Sequence, residues 1–158
     1  MLYDMSPEDI EGDYKETTIT LYGGLSRKVL YTDIEIPYPS GKLIVSTTDT
    51  AGVITHVNQA FVDMSGFVEN ELIGTLHSVL RHPEMPTEAF EDLWDTVTTG
   101  NKWQGYVKNL RKDGAYYWVK ATVIPNVRYG EVVGYTSVRR KPSRAKVEES
   151  IKLYATMI

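Results

Sequence analysis

Read for alternation and helical period, the chain divides into short segments. From Gly41, Leu43–Thr48 and Val53–Val57 read as two strands joined by the turn Asp49–Gly52. Asn58 opens a short helix carrying Phe61, Val62 and Ser65, and Gly66 stops it. A second short helix, Glu69–Ile73, ends at Gly74. Thr87 caps a longer helix whose Phe90, Leu93, Trp94 and Val97 repeat at i, i+3, i+4 and i+7, one apolar stripe that closes at Gly100. Lys102–Leu110, Tyr116–Ile124 and Val132–Arg139 then read as three strands, with Asp113-Gly114 and Tyr129-Gly130 in their tight connections.

Strands, then helices, then strands predict an α+β fold: an antiparallel sheet with short helices on one face. Ahead of this core, Thr17–Tyr22 and Lys28–Ile36 are β-prone runs around Gly23-Gly24, either a hairpin cap or an unpacked extension. Behind it, Ser143–Ile158 is a helix in which Val147, Ile151, Tyr154 and Ile158 alternate spacings of four and three, the seam of a two-helix coil. The expected division is an extension over residues 1–37, a core domain over 38–142 and a linker helix over 143–158.

Composition narrows the chemistry. The chain has 158 residues, 42% of them hydrophobic, enough for one domain with a real core. Its net charge of −4 argues against a nucleic-acid binder that relies on phosphate neutralisation. It contains no cysteine, which removes disulfides, thiolate metal sites, Cys nucleophiles and thiol switches together. A redox sensor built this way needs a bound cofactor. The acidic start carries no secretory pattern and no window approaches the ~20 apolar residues of a spanning helix, so a cytoplasmic domain is expected. No dinucleotide, phosphate-loop, zinc-helix or nucleophile-elbow signature occurs, so no catalytic residue is assigned and a binding module is expected rather than an enzyme.

The candidate chemistry gathers in Leu76–Pro86, LHSVLRHPEMP, where two His and one Arg precede a pair of prolines. Proline pushes His82 and Met85 towards extended geometry, making a short cationic elbow. Arg81 suits bidentate capture of an anion and His82 adds a donor; the plain alternative is a solvated loop with Arg81 paired to Glu84. His77 and His82 stand ~140° apart around a helix, a poor metal pair. In the strand that follows, alternation puts Trp103, Gly105, Val107 and Asn109 on one inward face, with room beside Trp103 at Gly105 for a ring. A buried Asn109 needs partners, which a ligand's polar edge or the backbone would supply.

These residues resemble a known family. The element order is similar to that of PAS domains, whose five antiparallel strands, in spatial order 2-1-5-4-3, cup a ligand beneath short helices. Gly52-Val53-Ile54-Thr55, Val57-Asn58, Ser65-Gly66, Arg81-His82-Pro83-Glu84-Met85-Pro86, Trp103, Val107-Lys108-Asn109 and Tyr117-Trp118-Val119 resemble the N-terminal flavin-binding PAS domain of bacterial aerotaxis receptors, across roughly residues 38–141. The resemblance implies non-covalent FAD, with FMN as the lesser alternative, and a domain that reports redox, oxygen or energy state to a chemoreceptor module, often as a homodimer. It implies that Arg81 and His82 retain FAD, that Trp103 lies beside the ring, and that Asn58, Asn109 and His77 belong to the flavin site. Glu84 stands where the family usually carries Asp. The competing expectations are a ligand-free interaction module, or the same fold holding haem on His77 or His82 or another small ligand.

Overall fold

The computed structural model describes residues 2–21 and 24–157. Two strands, β1 (Lys15–Thr20) and β2 (Ser26–Tyr31), pair antiparallel ahead of the main domain. Then come β3 (Ile44–Thr48), β4 (Ile54–Val57), α1 (Gln59–Ser65), α2 (Glu69–Leu72), a 3-10 turn over His77–Leu80 and α3 (Thr87–Thr98). The chain closes with β5 (Trp103–Leu110), β6 (Tyr116–Arg128), β7 (Glu131–Arg140) and α4 (Arg144–Ala155). The five-stranded sheet runs β4-β3-β7-β6-β5, antiparallel throughout. Counted within that sheet, the order is 2-1-5-4-3, as the resemblance implies. Strand β7 lies between β3 and β6, so the first and last strands of the core domain pair and the helices come to lie over one face.

Alternation decides which side chains enter that face. Tyr117, Val119, Ala121 and Val123 of β6 are all buried, and they join Ile44, Phe61, Leu72 and Leu80 in one core. Fully burying a side chain of this size contributes about 1.5–3 kcal/mol, so the core is what orders the short helices, none of which would hold alone. No helix among the described residues is long and apolar enough to cross a membrane.

The first residues form a packed cap rather than a loose tail. The expected strands shift: the first is Lys15–Thr20, and the second ends at Tyr31 instead of continuing to Ile36. The chain leaves β2 because Thr32 N donates to Gly114 O and Ile36 N to Tyr116 O, which carries the backbone onto the start of β6. Tyr22, the expected end of the first strand, and Gly23, of the expected turn, lie outside the described residues. Met5, Val29, Leu30 and Leu110 make a small second core beneath the cap. Gly114 sits there at φ 85°, and a Cβ would press on Leu30 O and Thr32, so the β5–β6 turn and the cap fit only with glycine.

The last helix also differs from expectation. Ser143 caps α4 by accepting from Lys146 N, and the helix folds back onto β5 instead of projecting as a free coil strand. Val147 and Ser150 are buried, Ile151 is exposed, and Ile158 lies outside the described residues. The buried face therefore follows i, i+3, i+7 through Tyr154, whose hydroxyl donates to Tyr106 O at 2.6 Å and whose ring stacks on Trp118.

Candidate functional site

The inward face of the sheet and the helices above it enclose a cavity of about 160 Å³. Strand β5 contributes Trp103, Val107 and Asn109, and β7 contributes Tyr135, Ser137 and Arg139. The His77–Leu80 turn and Arg81 form one side, and Phe90, Leu93 and Trp94, three members of the predicted α3 stripe, form the roof. Ala51 and Gly52, in the β3–β4 turn, lie at the edge. The volume is below the ~300–1,000 Å³ usual for ligand pockets. Trp103 accounts for part of this: its indole lies across Gly105, where any Cβ would overlap it, and its Nε1 donates to Asp92 Oδ2 at 2.8 Å.

The electrostatics are unusual for an apolar cavity. Arg139 is 2% exposed. Its Nη2 donates to Ser46 Oγ at 3.1 Å and to His77 Nε2, and its guanidinium lies 5.2 Å from the centre of the Phe61 ring. No carboxylate among the described residues pairs with it, and its Nη1 has no hydrogen-bond partner. Burial lowers its pKa to about 10, opposed by Tyr117 and Tyr38.

Arg81 is 7% exposed. Its Nη1 donates to Thr20 O of the cap at 3.3 Å, its Nη2 to Thr87 Oγ1 at 3.1 Å, and its guanidinium covers Phe90. Its Nε is buried without a partner. Two buried arginines, each with an unspent N–H and neither with a counter-ion among the described residues, therefore line one cavity. A bound anion or carbonyl-rich ring would satisfy both.

Four of the seven residues expected at the site line this cavity: His77, Arg81, Trp103 and Asn109. Asn109 pairs with Tyr117 across β5–β6 and bridges to the backbone of Arg81. Burial pushes the Tyr117 phenol up to about 12, opposed by Arg139, Arg111 and Asn109.

The other three lie elsewhere. Asn58 caps α1: its Oδ1 accepts from Phe61 N and Val45 N, and its Nδ2 donates to Leu43 O, so its amide is spent on holding helix to strand. His82 is fully buried on the opposite side of the elbow, between the rings of Tyr31 and Tyr116. Glu84 is exposed and pairs with Lys108 at 2.7 Å. Arg81 and His82 part company because successive residues of an extended segment point to opposite sides. The sequence reading missed Arg139, Trp94 and Tyr135. Alternation along β7 carried the signal, since Tyr135, Ser137 and Arg139 are two apart.

Both buried imidazoles are held neutral. His77 accepts from Arg139, and His82 Nδ1 accepts from Glu84 N at 3.1 Å. Burial lowers each pKa to about 3, helped by Arg139 at His77 and Lys108 at His82. The unfolded chain binds these protons near the ordinary pKa of ~6.5, so it holds more protons than the folded chain between there and about 3. Stability is thus fully present above that window and falls as pH drops through it, with a slope approaching ~2.7 kcal/mol per pH unit for two protons. Urea midpoints measured from neutral pH downwards should show this slope, and His82→Leu should remove about half of it. An unchanged slope would mean that His82 is protonated in the fold.

A family model for the PAS fold matches residues 54–139. The aerotaxis receptor of Escherichia coli is 40% identical over 126 residues, which cover 80% of this chain and 25% of that protein. A nitrogen fixation regulatory protein of Klebsiella pneumoniae is 26% identical over 116 residues, covering 72% of this chain and 23% of that one. The chain thus spans about a quarter of the length of these relatives. Among solved structures, a light-oxygen-voltage domain studied with a flavin analogue superposes with a TM-score of 0.64 at 22% identity, covering 74% of this chain and 90% of that one. The light-state Aureochrome1 LOV domain gives 0.61 at 22% identity, covering 72% and 88%. With the strand order 2-1-5-4-3, the helices gathered over one face and a cavity between them, the chain belongs to the PAS fold family.

Proposed function

We propose that this chain is a sensory domain that binds FAD non-covalently in the cavity between β5, β7 and α3 and reports redox state to a signalling module. The observation that carries this reading is the pair of buried arginines, Arg81 and Arg139, which line a largely apolar cavity and have no carboxylate partner among the described residues. The likeness to an aerotaxis receptor and to light-oxygen-voltage domains supports a flavin as the occupant. When bound, FAD supplies reversible electron transfer, and a charge change in a dry cavity is felt strongly by fixed cations. Arg81 and Arg139 offer positive charge and two N–H donors, Asn109 an amide for a polar edge, and Trp103 a face for the ring system. His77 keeps Arg139 in place through its Nε2, and the neutral imidazole adds no competing charge.

In this reading residues 38–142 are the sensor, the cap over residues 1–37 holds Arg81 through Thr20 O, and α4 is the exit to an output module. The domain works as a homodimer in the cytoplasm. Strand β5 connects site to exit, because Trp103 and Asn109 face the cavity while the main-chain carbonyl of Tyr106 accepts from the Tyr154 hydroxyl of α4. Tyr154→Ala removes the ring stack and the hydrogen bond, together worth about 1–3 kcal/mol. Amides of α4 should then exchange faster with solvent while the flavin remains bound. Unchanged exchange in α4 would show that the helix is held by other contacts.

The direct test is the visible spectrum of freshly purified protein before and after dithionite, repeated after equilibration with FAD and with FMN. A two-banded flavin spectrum that bleaches, taken up preferentially from FAD, is the expected result. A chain that stays colourless with both flavins would overturn the reading in favour of a ligand-free interaction module. A haem band would replace the cofactor.

A further inference from the structure

A second cavity, of about 480 Å³, lies across the His77–Leu80 turn and shares no lining residue with the first. His77, Ser78 and Leu80 line the first cavity, and Val79, between them, lines the second. The N-terminal segment supplies Tyr3, Asp4, Met5 and Asp9, β2 supplies Arg27, and the region around α2 supplies Phe67, Glu71 and Ile73.

Arg27 is the cation that brings an unspent N–H group to this cavity. It is 4% exposed. Its Nε donates to Tyr3 O at 2.8 Å and its Nη1 to Val79 O at 2.9 Å. Its Nη2 has no hydrogen bond or ion pair among the described residues, although Arg27 lines the cavity. Burial lowers its pKa to about 10, outweighing the help from Asp4. A buried guanidinium with no ion pair among the described residues is costly, and its planar donors match a carboxylate.

The remaining charges set what else the occupant carries. Lys112 is spent on Glu71 at 2.7 Å. Asp4, whose Oδ1 accepts from Lys28 N while Oδ2 has no partner among the described residues, and Asp9 are exposed at the rim. Extra negative charge on an occupant would meet these two carboxylates, whereas an ammonium group would be welcome there. Phe67, Ile73 and Val79 supply apolar wall.

We infer that this cavity binds a small zwitterion of the amino-acid type, with its carboxylate on Arg27 Nη2, its ammonium towards Asp4 and Asp9, and an apolar side chain against Phe67, Ile73 and Val79. Because Arg27 also holds Val79 O, an occupant here presses on the turn that walls the first cavity. The site itself does not depend on flavin binding.

The test uses the full 158-residue chain, isotope-labelled and free of flavin, followed by amide NMR. It is titrated with L-leucine, with isocaproate, which lacks the ammonium group, and with isoamylamine, which lacks the carboxylate. Saturating shifts at Met5, Glu71, Ile73 and Val79 are expected with L-leucine, with affinity about tenfold or more weaker for either truncated probe. Arg27→Gln should abolish the shifts. Since Arg27 also ties down two carbonyls, Ile73→Trp provides the second variant: Ile73 is exposed, and the larger ring fills the cavity with the Arg27 bonds intact. It too should abolish saturation. Leucine shifts that never saturate, that persist in Ile73→Trp, or that isocaproate reproduces at equal affinity would overturn the inference.

Discussion

Arg139→Met is expected to abolish flavin retention while leaving the ligand-free chain within about 1–2 kcal/mol of its original stability. The two effects have different origins. In the ligand-free chain Arg139 is a buried cation with no carboxylate partner, and replacing such a charge with an apolar side chain of similar length is often neutral or stabilising. Against that gain, Ser46 Oγ and His77 Nε2 each lose a donor, at about 1 kcal/mol apiece. With ligand bound, the balance reverses, because removing one partner of a buried charged contact costs ~2–5 kcal/mol, or from about thirtyfold to a few thousandfold in affinity. Urea unfolding of the stripped protein and an equilibrium flavin titration measure the two sides separately. Wild-type flavin affinity in the variant would remove Arg139 from the site. A loss above about 4 kcal/mol in the stripped protein would make it a structural residue instead.

Trp103→Ala should have the largest effect on stability, about 3–5 kcal/mol, and should also empty the site of flavin. The indole is buried, fills the space above Gly105 and ties β5 to α3 through Asp92. Alanine leaves a hole next to an existing cavity, so the neighbouring side chains have little reason to close it. Trp103→Phe separates packing from hydrogen bonding: the aromatic face stays, the bond to Asp92 goes, and the loss should be nearer ~1 kcal/mol. If the phenylalanine variant retains flavin and the alanine variant does not, the ring face is what the ligand uses. If both retain it, Trp103 is ordinary core.

Much of this was legible in local pattern. The α3 stripe of Phe90, Leu93 and Trp94 does face the cavity, and alternation along β5 does turn Trp103, Val107 and Asn109 inwards. The same rule, applied to β7 from Tyr135, would have reached Arg139. There the adjacent Arg139-Arg140 pair reads as a solvated strand end, and hydropathy outweighs periodicity. The rule also separates Arg81 from His82, which as neighbours in an extended segment cannot both face one cavity. Asn58 carried a plainer message: an Asn immediately before a helix is a cap, and its amide is spent there.

The cap and α4 belong to another class. Residues 1–37 have ordinary β-prone runs, but their place is set by contacts far away in sequence: Thr20 with Arg81, Arg27 with Val79, Thr32 with Gly114. In α4 the expected seam puts Ile151 beside Val147 and Tyr154, whereas docking of Tyr154 on the Trp118 ring buries Ser150 in its place.

By itself, the sequence determined the element types, the α+β class, the inward faces of strand and helix, and the cysteine-free chemistry, because periodicity, turn residues and composition act over a few neighbours. That β7 pairs with β3, that Arg139 joins Arg81 and His77 at one cavity, and that His82 faces away from it follow from packing between distant segments. Those outcomes depend on which distant strands share hydrogen bonds and on where a charge loses its water, and neither is a property of any local stretch of chain.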